Sequence, residues 1–187
     1  MRISIKGYII SNLQKKIIFL DRDGVINYDH GYVGEIEKFE FIDGIFEACN
    51  HFSKLGYEIV IITNQSGIAR KYFSQKDFLN LTKWMKEKFN ENGINILKVY
   101  YCPHGPEDNC ACRKPNIGMI IQANNDFNID LKKSWLIGDK ISDIQTAINA
   151  NIKNNILIKS SYQKDDDEKI ASFTANSLFD TINIIKE

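Results

Sequence analysis

The chain has 187 residues, 43% of them apolar and 26% charged, with 24 Lys plus Arg against 24 Asp plus Glu. That composition belongs to a globular domain with one sizeable core, and zero net charge excludes a bulk electrostatic binder of nucleic acid. No apolar run is long enough to span a membrane, and MRISIKGYIISNLQKK lacks the apolar stretch of a signal peptide, so a cytosolic location is expected.

Residues 1–14 read as an N-terminal extension and residues 15–187 as a single domain. Ile17 to Leu20 is a short apolar run of β type that ends at Asp21. A helix is expected from about Asp43, because Ile45, Phe46, Cys49, Phe52 and Leu55 recur at helical steps and Gly56 follows as a C-terminal stop. Tyr57 to Thr63 reads as a buried strand. Ser74 and Asp77 form a capping signal for a second helix with Phe78, Leu81, Met85 and Phe89 on its apolar face. Ile96 to Tyr101 reads as a strand, 117–127 as a helix, Ser134 to Ile137 as a strand, 141–150 as a helix, and Asn155 to Ile158 as a strand. A short helix is expected near Ser177 to Ile185.

Strands alternating with helices predict an α/β fold with a parallel sheet covered on both faces. Such sheets bind ligands beyond the C-terminal ends of their strands. The polar residues fall there: Asp21, Arg22 and Asp23 after the first strand, Thr63 and Asn64 after the second, Cys102 and His104 after the third, Asp139 after the fourth. The loops 22–42, 64–74 and 102–116 are long, and long loops on one edge usually carry function.

Carboxylates gathered at a sheet edge repel one another and lose hydration unless a cation compensates. Mg²⁺ suits Asp21, Asp23 and Asp139, with Asp143 standing behind them. The plainer reading makes Asp139 and Asp143 helix caps and Asp21 a turn residue. Thr63 and the backbone of Asn64-Gln65-Ser66-Gly67 suit phosphate oxygens, as does the Arg113-Lys114 pair, although each also reads as an ordinary turn. Cys102, His104, Cys110 and Cys112 supply three thiols and one imidazole within eleven residues, a set that suits structural Zn²⁺ better than a disulfide in a reducing compartment. Cys49 sits on an apolar helix face and reads as a core residue.

DRDG at 21–24, TNQSG at 63–67, Lys114 in CRKP and GDKISD at 138–143 resemble, in order, the four motifs of the haloacid dehalogenase-like phosphatases, over roughly residues 15–160. The resemblance implies a doubly wound, Rossmann-like sheet in strand order 5-4-1-2-3, which sets the first and fourth strands side by side. It implies that Asp21 attacks phosphorus to form an aspartyl-phosphate and that Asp23 serves as acid and then base. It further implies Mg²⁺ on the Asp21 carboxylate, the Asp23 carbonyl and Asp139, with Thr63 and Lys114 on the transferring phosphoryl group.

Within that superfamily, the cysteine loop, Asp29-His30-Gly31-Tyr32-Val33, the stretch Phe39 to Gly44 and SGIAR at 66–70 are similar to the branch of histidinol-phosphate and heptose-bisphosphate phosphatases. The chain differs from the branch in its N-terminal extension and in a shorter gap between the two pairs of zinc ligands. The resemblance implies no separate cap domain. Substrate contacts would come from Asp21, Arg22 and Asp23, from Asp29, His30, Gly31 and Tyr32, from Thr63, Asn64, Gln65 and Ser66, and from Arg113, Lys114 and Lys140. Arg113 would read the phosphate that is not cleaved.

The expected activity is removal of the 7-phosphate of a heptose 1,7-bisphosphate in nucleotide-activated heptose synthesis. The expected partner is that small molecule alone, acting on a monomer, with no nucleic acid and no membrane. Histidinol-phosphate hydrolysis is the alternative activity. A non-catalytic zinc-stabilised binding module is the alternative of another class, and the Asp21/Asp23 pair argues against it. A phosphate-receiver domain would leave the cysteines unexplained.

Overall fold

The computed structural model describes residues 14–160 and 169–186. The expected extension therefore lies outside the described residues except for Gln14, and so does the acidic run at 165–168. The elements follow in chain order: β1 (Ile17–Leu20), α1 (Ile45–Lys54), β2 (Glu58–Asn64), α2 (Gln75–Glu91), β3 (Ile96–Cys102), α3 (Gly118–Phe127), β4 (Trp135–Gly138), α4 (Ile141–Asn149), β5 (Asn154–Ile158) and β6 (Phe173–Ala175). All strand pairs are parallel, in the order β3-β2-β1-β4-β5-β6. The expected order 5-4-1-2-3 is contained in this sheet, with β6 added beside β5.

β1 lies between β2 and β4, with Ile18 opposite Ile59 on one side and Trp135 on the other. A parallel strand in that position is covered on both faces, which is why all four of its residues are apolar and wholly buried. Alternate residues then join opposite layers. Ile18, Leu20, Ile59 and Ile61 pack with Ala48, Cys49 and Phe52 of α1 and with Leu81, Met85 and Phe89 of α2. Ile17, Phe19, Val60 and Ile62 pack with Met119, Ile120 and Ala123 of α3 and Ala147 of α4.

The local signals behind these elements are physical. Ser74 Oγ accepts from the Asp77 N–H, and Asp77 Oδ2 accepts from the Ser74 N–H, so two otherwise orphaned donors start α2 satisfied. The buried residues of α2 are Phe78, Leu81, Met85 and Phe89, the expected apolar face.

Two expectations are corrected. The strand β6 was not foreseen, because three residues carry no readable periodicity. It is held instead by its register against β5, with Ile156 opposite Phe173 and Ile158 opposite Ala175. The expected helix at 177–185 is a 3₁₀ turn over Phe179–Asn183. His51 of α1 is half-buried, and its ring Nε2 lies 2.9 Å from the Ile185 carbonyl.

Because the strands are parallel, the ends of β1 to β4 share one edge. The chain winds outward in opposite senses from β1 and β4, so the crevice opens between those two strands.

Candidate active site

Asp21 directly follows β1, and its N–H donates to Ile137 O of β4 at 3.0 Å. Its carboxylate Oδ1 accepts from the Arg22 N–H at 2.7 Å. Lys114 reaches the same oxygen at 2.9 Å and Asp143 Oδ1 at 2.5 Å, and it donates to Ile62 O at 2.9 Å. An ammonium has three hydrogens, and these three acceptors match them. All of these side chains are buried, as is Asp139.

Burial is the largest influence on each group. It pushes the Asp21 carboxyl up to about 6, although Lys114 opposes the shift. It pushes Asp139 up to about 8, reinforced by the charge of Asp21. Burial also works against the charge on Lys114, but Asp143 and Asp21 overcome it and raise the ammonium's pKa. Lys114 and Lys140 together therefore do not balance burial and the mutual repulsion of the acids. Oxygen atoms of Asp21, Asp139 and Asp143 lie within 4.8 Å of one another, and an all-carboxylate donor set of this kind suits Mg²⁺. Gly24 keeps the space open: its φ is +87°, and a Cβ there would lie 2.2 Å from Asp139 Oδ2. The residues fit the ion.

The Asp23 side chain is not part of that cluster. Its Oδ1 accepts from Arg22 Nε at 3.2 Å, Arg22 Nη2 at 2.8 Å and Asn27 Nδ2 at 3.0 Å. Its Oδ2 accepts from Arg22 Nη2 and Gln65 Nε2, both at 2.9 Å. Burial alone would raise this carboxyl, but the Arg22 charge and the hydrogen bonds from Arg22, Asn27 and Gln65 hold it below the usual carboxylate range.

A cleft of about 360 Å³ opens over these groups. Asp21, Asp23, Thr63, Asn64, Gln65, Ser66 and Lys114 line it, together with Asp29, Gly31, Tyr32, Arg113 and Lys140 from the long loops. Lys140 and Asp29 close one side through an ion pair of 3.0 Å. Two expected contacts are not brought there. Arg22 is 1% exposed; it turns inward to Asp23 and the Val33 carbonyl and lies over the rings of Phe39 and Phe78. His30 is exposed and pairs with Glu40 at 3.3 Å. Conversely, Asp143 stands in the carboxylate cluster itself. Asp139 directly follows β4, and Asp143 caps the first turn of α4 by accepting from the Lys140 N–H at 3.1 Å, so the short β4–α4 turn is what places both at one point.

The second cluster lies at the end of β3. Cys102 Sγ is 3.5 Å from His104 Nδ1 and 3.5 Å from Cys110 Sγ. Cys112 Sγ is 3.3 Å from His104 Nδ1 and 3.6 Å from Cys110 Sγ. Tetrahedral zinc with bonds of about 2.0–2.3 Å sets its ligand atoms about 3.3–3.8 Å apart, so the four atoms fit that ion.

The loop is tied to the cleft through its backbone. Arg113 Nη1 donates to His104 O at 3.3 Å. The Gln65 N–H donates to Cys102 O at 2.8 Å. The Lys114 N–H donates to Asn64 Oδ1 at 3.0 Å, and Asn64 Nδ2 returns a bond to Lys114 O at 3.2 Å.

Comparison with known proteins follows the same lines. The family model described as polynucleotide kinase 3 phosphatase matches residues 16–178. A D-glycero-beta-D-manno-heptose-1,7-bisphosphate 7-phosphatase of Yersinia pestis is 44% identical over 177 residues, covering 90% of this chain and 94% of the relative. The protein of that description in Helicobacter pylori is 51% identical over 144 residues, covering 76% and 83%. A crystal structure of a D,D-heptose 1,7-bisphosphate phosphatase from B. bronchiseptica, complexed with magnesium and phosphate, superposes with a TM-score of 0.78 at 28% identity. That match covers 90% of this chain and 97% of the other.

Proposed function

The chain belongs to the heptose-1,7-bisphosphate 7-phosphatases of the haloacid dehalogenase-like superfamily, and from that premise we propose how its own residues carry out the reaction. The substrate is D-glycero-D-manno-heptose 1,7-bisphosphate, and the product is heptose 1-phosphate plus inorganic phosphate. The observation that carries this reading is the buried Asp21–Lys114–Asp143 arrangement beside Asp139, on the floor of a cleft that Arg113 and Lys140 line.

Asp21 Oδ1 is engaged by Lys114 and the Arg22 N–H, which leaves Oδ2 to attack phosphorus. The bond from phosphorus to the sugar oxygen breaks, and protonated Asp23 gives its proton to that oxygen. The incoming phosphate charge favours the protonated form of Asp23. Asp23, now a carboxylate, takes a proton from water. That water attacks the aspartyl-phosphate, releasing phosphate and restoring Asp21. Thr63 holds a phosphoryl oxygen, and Lys114 holds another by turning onto it the hydrogen it otherwise gives to Ile62 O, while Asp143 keeps the ammonium in place.

Asp21, Asp139 and the Asp23 carbonyl would hold Mg²⁺, which when bound offsets the negative charge of carboxylate and phosphoryl group. Cys102, His104, Cys110 and Cys112 would hold Zn²⁺ in a structural role, keeping the His104 carbonyl under Arg113. Arg113 then reads the phosphate at carbon 1, since a guanidinium fork matches a phosphate. Asp29, Gly31, Tyr32, Asn64 and Ser66 complete the sugar site. One chain supplies every group named, which supports a monomer, with residues 15–187 as its catalytic domain. Unpaired thiols suit a reducing compartment and support a cytosolic location. Among the described residues, no helix is long and apolar enough to cross a membrane.

Phosphate release from synthetic α- and β-heptose 1,7-bisphosphates, with histidinol phosphate alongside, tests the reading. One phosphate per heptose is expected from at least one anomer, with little release from histidinol phosphate. A preference for histidinol phosphate would overturn it.

A further inference from the structure

We infer that the Gln65 side chain is a positioning residue that sets Asp23 and Thr63 together, and that it is not a substrate contact. The inference rests on the phosphatase reading above and deepens it. Gln65 is 3% exposed, although it borders the cleft. Its Nε2 donates to Asp23 Oδ2 at 2.9 Å and to Thr63 Oγ1 at 2.8 Å. A primary amide nitrogen carries two hydrogens, so both are used within the protein. The orientation of the amide is forced, because the flipped form would set its carbonyl oxygen against a carboxylate.

Each bond has a consequence for the reacting groups. Thr63 Oγ1 accepts from Gln65, so its own hydrogen is directed away from the amide. Thr63 borders the cleft, and a hydroxyl oriented this way presents a donor to a phosphoryl oxygen. On Asp23, the buried Arg22 and Asn27 hold Oδ1 through three hydrogen bonds. Neither of them lines the cleft. Oδ2 carries one Arg22 bond and the Gln65 bond, two against three on Oδ1, and Gln65 does line the cleft. A neutral amide is a weaker donor than a guanidinium, so the Gln65 bond on Oδ2 is the one that can be exchanged for the leaving oxygen of the sugar. The Gln65 backbone is itself fixed, its N–H on the carbonyl of the first zinc ligand, Cys102.

Leaving-group dependence separates this role from a merely structural one. A sugar alkoxide needs a proton to depart, whereas p-nitrophenolate departs without one. Gln65→Met keeps the side-chain length and removes both donors. Gln65→Glu keeps the shape and serves as a second variant should Met not be accommodated. Both are assayed on the heptose bisphosphate and on p-nitrophenyl phosphate, with the melting temperature recorded. With the acid misplaced, kcat on the sugar bisphosphate should fall by about 10²-fold, within the range of general-acid contributions, while KM changes little. Read as kcat/KM, which stops at leaving-group departure and so leaves out the aspartyl-phosphate hydrolysis that both substrates share, the loss on p-nitrophenyl phosphate should be at least about tenfold smaller. Equal losses of kcat/KM on both substrates, or a raised KM with kcat intact, would overturn the inference. Should the wild type turn over a different alkyl phosphate in place of the heptose bisphosphate, the substrate reading fails. The same ratio taken on that ester still decides the role of Gln65.

Discussion

The carboxylate cluster at β1 and β4 and the thiol cluster beyond β3 are both candidate metal sites, yet they are built in opposite ways. Asp21 and Asp139 project from the ends of adjacent central strands, Asp143 from the first turn of a packed helix, and Lys114 is clamped among them. Each of these groups is buried, and the sheet holds it whether or not a metal is present. In the other cluster only Cys102 stands on a strand; Cys110 and Cys112 are half-buried on a loop that lies outside any α-helix or strand. The difference teaches a division of labour: a metal bound on rigid elements would be free to serve chemistry, while a metal bound on a loop would serve shape.

The largest expected effects divide the carboxylate cluster from within. Asp21→Asn removes the nucleophile and should lower turnover by at least about a thousandfold. It should not lower the melting temperature, since burial already disfavours the Asp21 charge. Lys114→Met should also abolish turnover, but by leaving buried carboxylates unpaired it should cost about 3–5 kcal/mol of stability as well. Calorimetry of the two variants distinguishes them, and zinc content should be unchanged in both.

Zinc removal by a chelator should act on the other cluster. The expected result is faster hydrogen exchange over 102–116, a lower melting temperature, and a raised KM as Arg113 loses its anchor on His104 O. A metal-stripped protein with unchanged exchange and KM would break the comparison. Arg113→Ala should raise KM for the bisphosphate about tenfold, the loss of one charged hydrogen-bonding partner, and erase the preference over a monophosphate. The smallest effect belongs to Cys49→Ala. Cys49 is wholly buried in the apolar layer beneath the sheet and belongs to neither group of candidate metal ligands among the described residues. Zinc content should stay the same, with a stability loss of about 1 kcal/mol.

The sheet and both clusters were legible in the sequence because their signals are local. An apolar run ending in Asp21-Arg22-Asp23, a Ser74–Asp77 cap, and four ligands within eleven residues need no knowledge of distant parts of the chain. Side-chain direction was not legible. The motif at 21–24 places Arg22 with its neighbours, but the chain turns it inward, where its fork meets Asp23 and its plane lies over Phe39 and Phe78. His30 fails for the same reason in reverse, on an exposed loop beside Glu40. The dual bond of Gln65 was equally hidden, since it joins residues 42 positions apart. β6 depends on its register with β5 and on no pattern of its own.

The most direct measurement is acid quenching of the wild-type enzyme during turnover of the heptose bisphosphate, followed by peptide mapping. The expected result is a phosphoryl group on the peptide containing Asp21, absent from Asp21→Asn. A phosphoryl group on another residue, or near-normal turnover by Asp21→Asn, would contradict the central claim that Asp21 is the nucleophile of this phosphatase.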